Sequence, residues 1–446
     1  MANYFVHPTN GNNLNPGTES LPWRDFTKSL SATVVAGDTV RYRGGTYVST
    51  GHFFVSSGSV GAPITHRNYE GETPIWDLSI AVPFLGSLNF DSPHGGNYIF
   101  DGLEITSGTL GRVGEQTQDL PNIIYRNLYG HGITTPGADN VSILRIDRHA
   151  DYIIEDSVFE NVFSTHPTPG NNADLVKNYS AYRGIIRRCI FRNATGTGFQ
   201  QKHGNPNGQP AFEMHDCVIS GIDNGPCVGL FPTGTQAPIY GTNIHNCLFD
   251  GQAFLSLHTD TNAQCTSHSF NNNTVIISPN GRGWFNRGIT GVEQQNNIFY
   301  GTAGGGGVNG ANNSGSMATD LGTGAIWNAG WSTLRNNCYH GIGNNFTTQF
   351  NGGWHIDRNG PSLIMYDTLP AWKAATSTSR TSIPAGHESG SIVANPLFEN
   401  PVLDFGGYTL AANSPCRGAG FGGVDMGWTS AVAPPVQPTG KLIVCF

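Results

Sequence analysis

Between Tyr152 and Tyr300 the chain repeats a four-position pattern: one polar residue, one small residue or cysteine, then two apolar residues. It reads Asp156-Ser157-Val158-Phe159, Arg188-Cys189-Ile190-Phe191, Asp216-Cys217-Val218-Ile219, Asn246-Cys247-Leu248-Phe249, Asn273-Thr274-Val275-Ile276 and Asn296-Asn297-Ile298-Phe299. The third position steps from Val158 to Ile190, Val218, Leu248, Val275 and Ile298, at intervals of 32, 28, 30, 27 and 23 residues. Leu103 and Leu128 extend the series backwards, and Cys338-Tyr339 extends it forwards. A period of this size marks a solenoid, whose single units cannot bury an apolar face alone.

Each unit holds β-branched and aromatic runs of four to six residues between Gly, Asn and Pro clusters, and none holds a pair of helices. Three short strands and three turns fit one period, so one unit is one coil of a parallel β-helix. Inward side chains then stack into ladders, among them Cys189, Cys217 and Cys247. These are expected to be buried, reduced thiols, because no CxxC pair is present to suggest a metal site.

Composition narrows the picture. The 446 residues could form several domains, but a solenoid grows in one dimension and can remain one. Only 12% of residues are charged and the net charge is −8, which argues against a nucleic-acid partner. No apolar run is long enough to span a membrane. Met1-Ala2-Asn3-Tyr4-Phe5-Val6 lacks the basic and apolar regions of a signal peptide. Eight cysteines in so long a chain do not make a disulfide scaffold.

The expected organisation is a cap over residues 1–50, coils over 51–345, C-terminal coils with a short helix and long loops over 346–428, and a tail over 429–446. In the cap, Trp23, Phe26 and Leu30 follow Pro22 at helical spacing and predict one short amphipathic helix. Tyr4–Val6, Tyr98–Phe100 and Leu103–Ile105 are expected strands. A helix is expected between Asp367 and Thr376. The tail ends in Leu442-Ile443-Val444-Cys445-Phe446, an apolar stretch that suits either a strand folded back on the body or attachment to a partner.

The opening "NGNNLNPGTESLPWRDFTKSL…VVAGDTVRYRGGTY" resembles the start of right-handed parallel β-helix proteins of the pectate-lyase-like superfamily. The run "HESGSIVANPLFENPVLDFGGYTLAANSPCRGAGFGGVDMG" resembles their closing coils. The resemblance implies an all-β, right-handed parallel β-helix with an N-terminal cap helix. It leaves the activity open, because lyases, hydrolases, epimerases and viral spikes share that fold.

In that superfamily chemistry sits on the outer face of a sheet, where residues of successive coils stand about 4.8 Å apart. Aligning the coils places Lys177, Lys202, His258 and Arg287 on one such face, with Asp174, His166, His203 and Asp260 nearby in sequence. The chain has only five lysines. A lyase acting on a uronate polysaccharide needs a base for the C5 proton and a cation for the developing dianion. Lys177 or Lys202 is the candidate base and Arg183 or Arg287 the neutraliser; His258 completes the catalytic set, with Asp174, His203, Asp260 and Arg287 as substrate contacts. "NNADLVKNYSAYRGIIRRCIFRN" faintly resembles a calcium-dependent pectate lyase family, in which the residue matching Asp174 helps hold calcium. The next coil, Ala194 to Gln200, has no acid, so the calcium site looks lost and no metal or other cofactor is expected. A glycosidase would need two carboxylates, which Glu155-Asp156 with Glu160, or Glu213-Asp216 with Asp223, could supply.

Two readings follow. One is a bacteriophage surface protein, a tail spike or capsid decoration. It would contact a cell-surface glycan, assemble as a homotrimer as the resemblance implies, and meet other virion proteins through its tail. The other is a secreted polysaccharide lyase or glycoside hydrolase.

Overall fold

The polar residue that opens each repeat occupies a corner. Asp156, Arg188, Asp216, Asn246, Asn272, Asn296 and Asn336 have φ between 48° and 59°. This left-handed region costs Asn and Asp less than other non-glycine residues, because their short polar side chains bond locally. The computed structural model describes residues 1–49, 53–79, 87–90, 96–113, 119–135, 141–165, 173–231, 237–258, 265–287, 290–302, 316–319, 329–341, 355–359, 362–366, 369–377 and 381–429. Over these the chain is an all-β parallel β-solenoid, with strands that pair coil to coil in register.

Two compact units emerge, Met1–Gly196 and Thr197–Ala433. In the first, one sheet stacks Asn3–Val6, Thr39–Tyr42, Ile64–Asn68, Tyr98–Asp101, Ile123–Arg126, Ile153–Glu155 and Gly184–Arg187 in that order, all parallel. These are the first strands of their coils. The second strands stack from Gly45–Val48 to Ile190–Ala194, and the third strands include Val141–Asp147 and Ala173–Tyr179. Alternate first-strand residues, Phe100, Tyr125 and Ile154, point inward and are buried. Facing out, Arg67, Asp101, Arg126, Glu155 and Arg187 form a column of alternating charge, with Arg126–Asp101 at 3.0 Å and Arg187–Glu155 at 2.6 Å.

The cap helix is shorter than its pattern predicts. It spans Phe26–Ser29, with Asp25 as N-cap accepting from the Thr27 amide at 2.9 Å. Trp23 lies outside it: its backbone bonds Phe5 and His7, adding an edge beside Val6, and its ring stacks on Tyr4. Phe26 closes the first coils by packing against Tyr42, Tyr47 and Trp76. The second expected helix is present as Leu369–Lys373.

In the C-terminal unit the first strands are Pro210–His215, Tyr240–His245, Ser269–Asn271, Val292–Gln295 and Ala329–Arg335. Second and third strands run together as Val218–Leu230, Leu248–His258 and Thr274–Arg287, bent by register shifts instead of loops. The pairing Leu248↔Thr274↔Ile298 corrects one repeat: Asn272-Asn273-Thr274-Val275 is the equivalent phrase, not Asn273 to Ile276. Asn272 takes the corner, which releases Asn273 for the buried second position.

That second position is an internal ladder. Cys217 and Cys247 are fully buried thiols, each with its sulfur 3.3 Å from the carbonyl two residues earlier. Beyond them come Asn273, Asn297 and Asn337. Asn297 Oδ1 accepts from the Asn273 amide at 2.9 Å and from its side chain at 3.2 Å, while Asn297 Nδ2 donates to Phe270 and to Asn337 Oδ1. Cys189, in the first unit, is also buried, with its sulfur 3.2 Å from the Arg187 carbonyl.

The coils continue into the C-terminal residues, where Thr381–Ser382 pairs in parallel with Ala329 and Gly330 and Ile392–Val393 with Cys338 and Tyr339, but the residues after Ile392–Val393 leave the stack. The segment from Leu397 to Thr429 folds back over the outer side of the second strands, where Leu410, Cys416 and Met426 pack on Ile298 and Cys338. Successive corners anchor it: Asn336 donates to Ala419 O, Asn296 accepts from the Phe421 amide, Asn272 donates to Asp425 O, and Asn246 accepts from the Thr429 amide. Gly427 is required where the strap crosses Ile298: its φ is +81°, and a Cβ there would stand 2.6 Å from Ile298 Cδ1 and 2.7 Å from Thr274 Oγ1. The apolar tail 430–446 lies outside the described residues.

Candidate functional site

The lysine face expected from the repeat alignment is not reproduced at Lys177. Its side chain is buried, and its ammonium lies 2.8 Å from the Asp174 carboxylate, itself 1% exposed. An ammonium so deep needs a counter-charge, and Asp174 three residues earlier supplies it. Lys177 is therefore no solvated outward base, and Asp174 is no exposed substrate contact. Arg183 is on the surface, paired with Asp151 at 2.6 Å. In the C-terminal unit, Lys202 directly follows strand Phe199–Gln201 and is half-buried. Gln201 pairs with Leu230, Leu230 with Leu257, and His258 with Arg287, so Lys202, His258 and Arg287 do hold corresponding backbone positions. Burial, then the neighbouring Lys202 charge, depress the His203 imidazole to about 4. Asp260 and His166 lie outside the described residues.

Of the carboxylate pairs, Glu155 and Asp156 are held by Arg187 and Arg188, and Glu160 by Arg192. These are ion pairs between adjacent coils of the first unit. Asp223 is exposed on its long strand. Glu213 and Asp216 are different, and two histidines make them so.

His215 and His245 occupy matching positions on paired first strands, as do Glu213 and Asn243. Met214 and Ile244 point inward and are buried, so strand alternation sends Glu213, His215, Asn243 and His245 outward. The two imidazoles stack with centroids 5.1 Å apart and planes 7° from parallel. His215 Nδ1 lies 2.7 Å from Asp216 Oδ2, and His245 Nε2 lies 2.9 Å from Glu213 Oε1. An ionised carboxylate can only accept, so each of these ring nitrogens is the donor. Asn243 Nδ2 also donates to Glu213, at 3.2 Å, and Asn246 Nδ2 donates to Asp216 Oδ1. The result is a chain of carboxylate, imidazole, imidazole and carboxylate along the outer face.

The chain is open to solvent: side-chain exposure is 43% at Glu213, 35% at His245, 21% at His215 and 20% at Asp216. Partial burial pushes the Asp216 carboxyl up, but hydrogen bonds from His215 and Asn246 and the charges of both histidines outweigh it. Its pKa therefore lies below the ordinary carboxylate value. Beyond the histidines the same outer columns continue through Asn271, Gln295 and Arg335, and through Ser269, Glu293 and Thr333. These side chains are tied together by Ser269–Asn243 at 2.6 Å, Gln295–Glu293 at 3.0 Å and Arg335–Gln295 at 3.0 Å.

A second mixed cluster lies in the N-terminal unit. Tyr129 stacks on His131 with centroids 4.3 Å apart, His131 reaches Glu104 at 3.0 Å, and the Tyr129 hydroxyl donates to Glu160 at 2.7 Å. Among the described residues no group of three or more His, Cys, Asp or Glu side chains is placed to hold a metal ion.

Sequence reasoning named Glu213 and Asp216 but missed their histidines. The signal was present: His215 and His245 precede equivalent corners, 30 residues apart, the same interval that separates Val218 from Leu248.

The chain matches no protein-family model and no curated protein. Among solved structures it is similar to a rhamnogalacturonan lyase, at 16% identity over 88% of this chain and 87% of that one, with a TM-score of 0.40. It is also similar to pectate lyase Pel9A, at 14% identity over 94% and 92% with a TM-score of 0.44. A glycoside hydrolase matches at 10% identity over 86% and 99%, with a TM-score of 0.48. Identities this low concern the fold alone.

Proposed function

We propose that the chain binds a neutral polysaccharide along the outer first-strand face of its C-terminal unit and hydrolyses it at Glu213, His245, His215 and Asp216. The observation that carries this reading is the pair of carboxylates joined through two stacked imidazoles at a solvent-open position. Hydrolysis of a glycosidic bond needs one acid to protonate the leaving oxygen and one base to activate water. Asp216, held ionised, is suited to take the proton from water. On the other side the donor is His245, whose Nε2 proton is held against Glu213, so this imidazole–carboxylate pair is suited to deliver a proton. Met214 and His215 lie between the two carboxylates in sequence, and each carboxylate accepts from one imidazole of the stacked pair.

A neutral chain fits better than a uronate. A lyase needs a cation at the substrate carboxylate, and both imidazoles of this site are already committed to Asp216 and Glu213. The burial of Lys177 against Asp174 also removes one of the two candidate lysine bases. Amide and hydroxyl side chains repeated at a coil spacing of about 4.8 Å suit successive sugars of an extended chain.

The test is retention and reducing-end release on a panel of neutral polysaccharides. Glu213→Gln and Asp216→Asn should abolish release and keep retention. Wild-type protein that neither binds nor cuts any of them would sink the proposal. A bacteriophage surface protein needs only the binding half, so retention without release by the wild type would favour that reading.

A further inference from the structure

We infer that Thr429, at the end of the C-terminal strap, positions Asp216 through Asn246. Asn246 is the corner residue one coil above Asp216. Its Oδ1 accepts from the Thr429 amide at 2.8 Å and from the Thr429 hydroxyl at 3.3 Å. Its Nδ2 donates to Asp216 Oδ1. The amide cannot be turned over: a flip would set Nδ2 against the Thr429 N–H, donor to donor, and Oδ1 against a carboxylate, acceptor to acceptor. Thr429 therefore holds Asn246 in the one orientation that presents Nδ2 to Asp216. The strap is itself fixed on the second strands, through Trp428 N to Thr274 Oγ1 at 2.9 Å and Gly427 N to Asn296 O at 2.6 Å. A segment distant in sequence thus sets the electrostatics of the corner. The charged groups that act on Asp216 are His215, 2.7 Å from it, and His245, stacked on His215 and paired with Glu213.

The assignment of a positioning role deepens the hydrolase reading and rests on it for its meaning, but its test does not need activity. The carboxyl carbon of Asp216 is titrated by NMR in the full chain. Asn246→Gly is the variant of choice, because φ at Asn246 is +48° and glycine keeps the corner without strain while removing the amide. The Asp216 pKa is expected to rise by about one unit, the order of a lost hydrogen bond to a charged acceptor. Thr429→Pro, which deletes the amide donor, should raise it too, whereas Thr429→Val, which keeps that donor, should raise it less. If the polysaccharide is cleaved, the acid limb of the pH profile should move up with the same variants, where a purely structural role would lower the rate at every pH. An unchanged Asp216 pKa in a folded Asn246→Gly protein overturns the inference. A shift in Asn246→Gly with none in Thr429→Pro overturns the part assigned to the strap. Neither result depends on whether a polysaccharide is ever cut.

Discussion

The ammonium of Lys177 sits 2.8 Å from the Asp174 carboxylate, and neither side chain reaches solvent to more than 1%. Removing one partner of such a pair leaves a buried charge, which costs about 3–5 kcal/mol. Asp174→Ala and Lys177→Ala should each lower unfolding free energy by that order in urea titrations. A surface-like loss of under about 0.5 kcal/mol would show that the pair is not buried in solution.

The asparagine ladder makes a graded prediction. Asn297→Ala strands the Asn273 amide, the Phe270 carbonyl and the Asn337 side chain together. Each buried orphan costs about 1–3 kcal/mol. Asn297→Cys should be milder, because Cys217 and Cys247 fill the same position with a sulfur set against a carbonyl. Chemical denaturation of the two variants side by side checks the order.

Much of the fold was legible because every corner imposes the same demand. A left-handed residue must be followed by something small or self-bonding, then by two apolar residues, so the phrase recurs. The slip at Asn273 shows the limit: three consecutive asparagines, Asn271 to Asn273, all satisfy the corner rule, and only strand register decides that Asn272 takes it. Lys177 was misjudged for a related reason. Alternation says which face a residue points to, not whether that face is covered, and in Ala173–Tyr179 all but the last residue are buried. The C-terminal run is expected to be closing coils from its resemblance to them, and Ile392–Val393 belongs to one, but Leu397 to Thr429 is a strap. The bonds that make it a strap, such as Thr429 to Asn246, span 183 residues and leave no periodic trace.

Acid should weaken the protein through its core histidines. Burial depresses His66 to about 3 and His149 and His268 to about 4. Unfolded, each titrates near its ordinary value of about 6.5. Between those limits the unfolded chain binds more protons, so stability is full above about pH 6.5 and falls as pH drops towards 4. Urea midpoints at pH 7, 6 and 5 should decline in that order. His66→Phe, which deletes one of these protons, should flatten the decline.

The seven described free cysteines are all buried. Burial also pushes the Cys265 thiol up to about 11. Native protein treated with a maleimide should therefore leave these seven unlabelled by peptide mass mapping, and label them after denaturation. Rapid labelling of Cys217 or Cys247 in the native state would contradict the ladder.

Gly427→Ala should loosen the strap without unfolding the coils. Its new methyl would meet Ile298 and Thr274 at a backbone angle that disfavours side chains. Hydrogen exchange should rise across 419–429 while strand Ile298–Gly301 stays protected.

Ala419, Phe421, Asp425 and Thr429 meet the corners Asn336, Asn296, Asn272 and Asn246 one after another, in reverse chain order. The strap is thus a ruler laid along four coils. Solenoids can ordinarily gain or lose a repeat by duplication or deletion, because each coil knows only its neighbours. Here a coil added or removed between residues 246 and 336 would put every graduation out of step with its corner. The count of repeats in that stretch is frozen by a segment that belongs to none of them.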